Sequence, residues 1–225
     1  MNELAEYFLD GEAFERSRQL LWLGLTASIQ LVLAAFAVAL VIGLGLYGAR
    51  RSRSALVRGI TVWVVDICRA CPPLVALVVV YYLVPPINGY SLSKFLAATL
   101  TFGLIQGCYI SEIYRGGFDS VGRGQREAAA SLGLRPARIG LDVIAPQALR
   151  VMIPPLTNQF TQLVRDVSLA FFIGYAELIS RARQAVTLTS SPTPYTAVAL
   201  TYILLLVPLQ VLSSALERRR GLERK

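Results

Sequence analysis

Residues 19–49 carry no charged side chain, and no other feature of the chain restricts its folding as severely. About 20 consecutive apolar residues suffice to cross the hydrocarbon of a bilayer as a helix. Inside lipid no water pairs with backbone amides and carbonyls, so such a segment is helical. The span is read as Leu20–Tyr47. Arg50, Arg51, Arg53 and Arg58 follow at once, and basic loops stay on the cytoplasmic side. Residues 1–19 then form an external segment. They hold five acids against Arg16 and Arg18, with no basic start leading to a small-residue cleavage site, so a cleaved signal peptide is not expected.

Four more apolar runs continue the pattern. The second reaches from near Ala55 to about Leu83, interrupted by Asp66 and Arg69 and then by Pro72 and Pro73, a pair that removes helical hydrogen bonds and bends the chain. Such a break persists at membrane depth only where protein or a water-filled cavity covers it. Asp66 and Arg69, three residues apart, can pair on one helix face; the other reading starts the helix later, with both at the headgroups. Pro85, Pro86, Asn88 and Gly89 make an external turn. The third run, Phe95–Ser111, has 17 uncharged residues, about 26 Å of helix, and ends at Glu112 and Arg115.

In the fourth run Arg165 and Asp166 divide Val151–Val164 from Val167–Ala176. Adjacent helical residues point about 100° apart, so both charges need polar company. The reading is a single span with a polar site facing the bundle interior, against two re-entrant halves. A loop through Arg181, Arg183, Pro192 and Pro194 leads to the fifth run, Tyr195–Leu216, kinked near Pro208 and stopped by Arg218, Arg219 and Arg220. An outside N-terminus and a cytoplasmic C-terminus require an odd number of spans, and five satisfy it. The expectation is an all-α membrane protein of about five transmembrane helices in one domain, 1–225, with a bundle over 20–216 and a basic cytoplasmic tail over 217–225. A composition 55% hydrophobic and 16% charged agrees. The net charge of +8 sits at the ends of apolar runs, where it orients the protein in the membrane and does not point to nucleic acid.

Between the third and fourth runs lies a polar, basic island, Gly124–Arg150. Gly124 reads as an N-cap with Glu127 in the first helical turn, and Ala128, Ala129 and Ala130 propagate the helix. Gly133 stands where a helix ends and Pro136 where the next begins, so two short helices joined by a bend are expected. Such an element is either a docking surface or a solvated loop between spans.

No catalytic constellation is visible. The chain has no histidine, and its carboxylates have no partners at motif spacing. Cys68 and Cys71 form C-x-x-C, but with only Cys108 beside them a four-ligand zinc site is not made, and the pattern is read as coincidental; no metal is assigned. No phosphate-binding G-x-x-x-x-G-K-[ST] occurs, so any use of ATP runs through a partner.

The island resembles the signature E-A-A-x-x-x-G-x(9)-I-x-L-P of the amino-acid-type permease subunits of bacterial ABC importers, through Glu127, Ala128, Ala129, Gly133 and Pro146, with Val143 for isoleucine and Ala145 for leucine. Arg69, Ala70, Cys71 and Pro72 resemble that family's R-G-T-P, with Ala76 at its following Gln. Tyr109, Glu112, Ile113, Arg115 and Gly116 resemble Y-x-x-E-I-x-R-G. Pro146–Arg150 matches P-Q-A-L-R, and Arg165, Asp166, Ser168 and Leu169 resemble K-D-x-S-L. The resemblance covers roughly residues 20–220.

It implies a multi-pass protein of the bacterial inner membrane, itself non-catalytic, with no cofactor of its own. ATP and Mg would be bound by a cytoplasmic ATP-binding subunit seated on the island. The island is then a coupling-helix pair between spans 3 and 4, with Gly124, Glu127, Ala128, Ala129, Gly133 and Pro146 as coupling residues. A second permease subunit, the same chain or a relative, and an extracytoplasmic solute-binding protein are the other partners, with membrane lipid around them. Asp66, Arg69, Glu112, Arg165, Asp166 and Glu177 are candidates for a substrate path, where opposite charges suit a zwitterion; the alternative is that they are bundle ion pairs or headgroup anchors. Rival readings are a stand-alone channel or secondary transporter, and a membrane anchor subunit of a redox complex, which would want haem-ligating histidines.

Overall fold

The computed structural model describes residues 8–85 and 91–222, and every regular element among them is helical. Residues 1–7 of the external segment, Pro86, Asn88 and Gly89 of the expected turn, residues 223–225 of the tail and the side chains of Arg219 and Arg220 lie outside the described residues.

Helix α1, Gly11–Arg50, begins well before the apolar run because Asp10 caps it, accepting from the amides of Glu12 and Ala13 at 2.9 and 3.1 Å. Part of the expected external segment is therefore the first turns of α1. The helix buries a stripe of mostly small residues, Gly24, Ser28, Ala35, Ala39 and Gly43 among them, and exposes Trp22, Leu33, Val41 and Leu44. Lipid is as apolar as leucine, so helices in a membrane associate through close packing of small residues and leave their large apolar side chains outside.

Helix α2, Ala55–Ala70, is capped by Ser54 and stops where Cys71 and Pro72 take extended conformations ahead of the next residue's ring. Helix α3, Pro73–Val78, leaves at 104° to α2 and continues as a π-helical segment, Val79–Leu83. The break falls at Pro72 and Pro73, as their sequence predicts. Helix α4, Lys94–Asp119, is capped by Ser93 and runs past the expected end at Ser111. It is the most enclosed span and packs along α1.

Helix α5, Arg123–Ser131, opens the basic island. Helix α6, Pro136–Arg138, passes through a π segment, Ile139–Ile144, into α7, Ala145–Asp166, and the run tightens to 3-10 turns over Val167–Ile173. The expected second short helix is thus the foot of a long span. Each π segment ends two residues before a proline, Pro85 or Pro146, where a wider turn accommodates the missing N–H and the ring's clash with the preceding turn. Arg165 and Asp166 do not divide the fourth span, which ends at Gly174 in the left-handed region at φ +71°.

The loop expected through Arg181 and Arg183 is instead helix α8, Leu178–Thr189, capped by Glu177, burying Leu178, Ala182 and Ala185, and packed on Leu21 of α1 through the first two. Those three recur at helical spacing within a segment too short and too polar to register as a span. Helix α9, Thr193–Leu222, continues through Pro208. The central core joins Leu31, Val32 and Ala35 of α1, Leu77 of α3, Ala98 and Phe102 of α4, and Leu163, Val167 and Ala170 of the fourth span. Four helices are long and apolar enough to cross a membrane, and the α2–α3 pair makes a fifth crossing if counted as one.

Candidate functional site

Three groups of polar residues stand out from this frame. The first is the corner made by α5 and α6. The cap of α5 is Gly122, two residues before the expected Gly124, so Gly124 lies inside the first turn and Glu127 beyond it. Gly133 closes α5 at φ +77°, with its amide on the Ala130 carbonyl at 2.9 Å and the Leu134 amide on Ala129 at 3.3 Å, a Schellman closure that a residue with a Cβ adopts only under strain. Glu127, Ala128, Gly133 and Pro146 are exposed, whereas Ala129 is 5% exposed and turned into the protein. The small side chain of Ala129 lets α5 settle against the segment Ile139–Ile144. The outward face instead shows Leu132, 81% exposed, and Leu141, 71% exposed, neither of which carries a charge or motif position to mark it.

The corner is fixed to the spans beneath it. Val121, Ala148 and Met152 are buried together, with Ile113, Tyr114 and Phe118 of α4 and Ile144 and Leu156 packed on them. Beside this cluster an ion chain stitches α1 to α4. Glu112 pairs with Arg50 and, at 2.9 Å, with Arg115; Asp119 meets Arg115 at 3.5 Å and Arg51 at 4.0 Å. Arg51 also lies over the Tyr47 ring, which stacks on Phe118 at 5.1 Å.

The third group lies within the spans. Asp166, 8% exposed, accepts from Gln106 Nε2 at 3.0 Å and Gln162 Nε2 at 2.9 Å. Its neighbour Arg165 points elsewhere, donating to Gln162 Oε1 at 3.2 Å and Gln210 Oε1 at 3.0 Å. Arg165, Gln210, Asn158, Gln159 and Gln162 line a polar cavity of about 260 Å³. A second cavity, about 400 Å³, is lined by Arg69, Tyr109, Glu112 and again Gln159, and so adjoins the first.

Of the six charges expected on a path, Arg69, Glu112 and Arg165 line these two cavities, and Asp166 is hydrogen-bonded to Gln162 in the wall of the first. Asp66 is exposed on α2, and no ion pair joins it to Arg69 among the described residues; Arg69 lies instead over the Tyr109 ring at 5.1 Å, whose hydroxyl donates to the Arg69 carbonyl. Glu177 is a buried cap accepting from the amides of Ile179 and Ser180 at 2.8 and 2.6 Å, and burial pushes its carboxyl up to about 7 despite those bonds. The amides Gln106, Asn158, Gln159, Gln162 and Gln210 complete the site. Sequence reasoning missed them because it searched for charge, and an uncharged amide inside an apolar run was the available signal.

The family described as binding-protein-dependent transport system inner membrane component matches residues 39–221. The L-cystine transport system permease protein TcyB of Bacillus subtilis (strain 168) is 35% identical over 198 residues, 87% of this chain and 84% of that protein. The arginine transport system permease protein ArtQ of the same organism is 27% identical over 197 residues, 87% and 90% of the two chains. The crystal structure of an amino acid ABC transporter with histidines superimposes at a TM-score of 0.83 and 27% identity, covering 94% of this chain and 98% of that one.

Proposed function

Because the chain belongs to the binding-protein-dependent transport system inner membrane components, we propose that it is the permease subunit of an ABC importer that moves a polar amino acid or related small solute inward. Relatives named for L-cystine and arginine support that class of solute. The protein sits in the bacterial inner membrane, and ATP and Mg belong to a separate cytoplasmic subunit. A second permease subunit completes the pathway, and an extracytoplasmic solute-binding protein feeds it.

The N-terminus lies outside and the C-terminus in the cytoplasm. One end of the bundle carries Arg50, Arg51, Arg53, Arg58, Arg115, Arg123, Arg126, Arg135, Arg138 and Arg150, against Arg16, Arg18, Lys94, Arg181 and Arg183 toward the opposite end, and that excess of basic residues supports the orientation on balance. The α5–α6 corner is the coupling element. The observation that carries this reading is its combination of an exposed outer face with a buried root on α4 and α7. A partner that binds the corner differently in two states shifts both spans together, and α7 bears Asp166, Arg165 and the polar cavity. Arg69, Glu112, Arg165 and Asp166 with the five amides form the solute path, in which separated charges of both signs accept a zwitterion.

The test is uptake by the reconstituted complex with its ATPase and binding protein. Glu127→Ala and Gly133→Val each lower uptake about tenfold, a modest loss of coupling free energy, while ATP hydrolysis persists. Unchanged uptake in both variants sinks the coupling assignment, and transport in vesicles lacking the ATPase subunit sinks the importer.

A further inference from the structure

We propose that the groove between α1 and α9 is a binding site for one membrane phospholipid whose headgroup is zwitterionic and ends in a primary amine. The groove holds about 550 Å³ and is walled by Leu21, Leu25, Val198 and Leu204, with Trp22, 64% exposed, on its rim. Both helices are membrane spans, so hydrocarbon is the medium that meets the groove.

Two observations favour a lipid over a protein segment. The hydroxyls of two threonines in its wall are already used: Thr201 donates to the Ala197 carbonyl at 2.8 Å, and Thr193 accepts the Asp10 amide at 3.0 Å. Neither hydroxyl then calls for a partner in the groove, and an acyl chain fits such a wall without forming a hydrogen bond. The second observation is the charge at the mouth. Asp10 and Arg18 both line it, and Glu15 stands 3.9 Å from Arg18.

Helical side chains lean toward the N-terminus, so Arg18 reaches back along α1 in the direction of Asp10. A phosphate beside Arg18 and an ammonium beside Asp10 match that polarity. A primary ammonium donates hydrogen bonds to a carboxylate, and a trimethylammonium has none to give. A purely anionic headgroup would meet the carboxylates of Asp10 and Glu15 with no cation to offer them.

Trp22 makes the proposal measurable. The chain has two tryptophans, so the full chain carrying Trp63→Phe reports from Trp22 alone. In phosphatidylcholine vesicles with a minor fraction of phosphatidylethanolamine brominated on its acyl chains, Trp22 is quenched as if that lipid were enriched about fivefold over bulk, the scale of one hydrogen bond between an ammonium and a carboxylate. The same fraction of brominated phosphatidylcholine quenches at the bulk level. Asp10→Asn, which keeps the cap of α1 and removes the charge that the ammonium meets, abolishes the enrichment, Arg18→Gln weakens quenching by both lipids alike, and Thr196→Phe, which fills the groove, removes the enrichment while helix content is retained. Equal quenching by the two lipids overturns the proposal. So does a Trp22 shielded from both, which would mean that another protein surface covers the groove.

Discussion

Gln106 Nε2 donates to Asp166 Oδ2 at 3.0 Å, joining α4 to α7 at a carboxylate with almost no access to solvent. The bond comes from a residue that has no charge and no motif position. Replacing Gln106 with leucine removes one of the two amides that Asp166 depends on. The expected cost is about 1.5–3 kcal/mol, the range for hydrogen bonds to charged groups. It is read as a lower unfolding midpoint in detergent. Gln106→Leu with Asp166→Asn together should cost less than the two changes summed, and strict additivity would show that the residues are not coupled.

Gly107 faces α1 so closely that an added Cβ would lie 2.7 Å from Ile42 Cγ2. Gly45, on the outer side of α1, has nothing within 4 Å of the same position. Gly107→Val is therefore expected to destabilise by about 1–3 kcal/mol through overpacking. Gly45→Ala should be neutral or stabilising by up to about 1 kcal/mol, because it replaces a flexible residue inside a helix. Equal effects in thermal unfolding would contradict the packing described for α1 and α4.

Glu177 provides a pH dependence whose sign is fixed. Its carboxyl titrates at about 7 in the folded protein against an ordinary 4.5, so the folded state holds the proton more tightly than the unfolded state. This contribution to stability is complete below about 4.5 and is lost as pH rises through about 7. Glu177→Gln keeps an acceptor for one of the two amides of Ile179 and Ser180 and does not titrate, so its stability should be lower overall but flatter over that window. Identical slopes for variant and parent would refute burial as the cause.

Gly124 and Gly133 make opposite predictions although both lie in the basic island. Gly124 is inside α5 with an ordinary φ and open space around it, so alanine should raise helix stability by up to about 1 kcal/mol. Gly133 holds φ +77°, and alanine there should cost about 1–2 kcal/mol. Limited proteolysis of the corner, faster for Gly133→Ala and unchanged or slower for Gly124→Ala, distinguishes them.

Long charge-free runs made the spans legible, because membrane depth leaves the backbone no alternative to a helix. The break at Pro72 and Pro73 and the turn at Gly133 were equally readable, since proline and glycine act through local geometry. Helix α8 was not, because its apolar face is three small steps, Leu178, Ala182 and Ala185, within a segment whose arginines read as a loop. The burial of Ala129 and the cap role of Glu177 are not legible for a related reason. Sequence marks a residue as small or charged, and only packing decides whether it faces a partner, a path or its own helix end. The amides of the polar cavities escaped notice because nothing in their local pattern separates a glutamine facing a cavity from one facing lipid headgroups.

The contact of α1 with α4 leaves those helices no freedom to slide. Val38 sits against Gly103, Ile42 against Gly107 and Ile110 against Gly43, so closely that even a methyl group has no room at any of the three glycines. The pair behaves as one strut, pinned at its basic end by the Arg50–Glu112 pair. Any change in the shape of the bundle must then be taken up where the backbone already turns. Two such places are the Cys71–Pro73 corner between α2 and α3 and Gly174, between the fourth span and α8. These two joints flank the strut, and stiffening either should slow the motion of the protein without loosening its core.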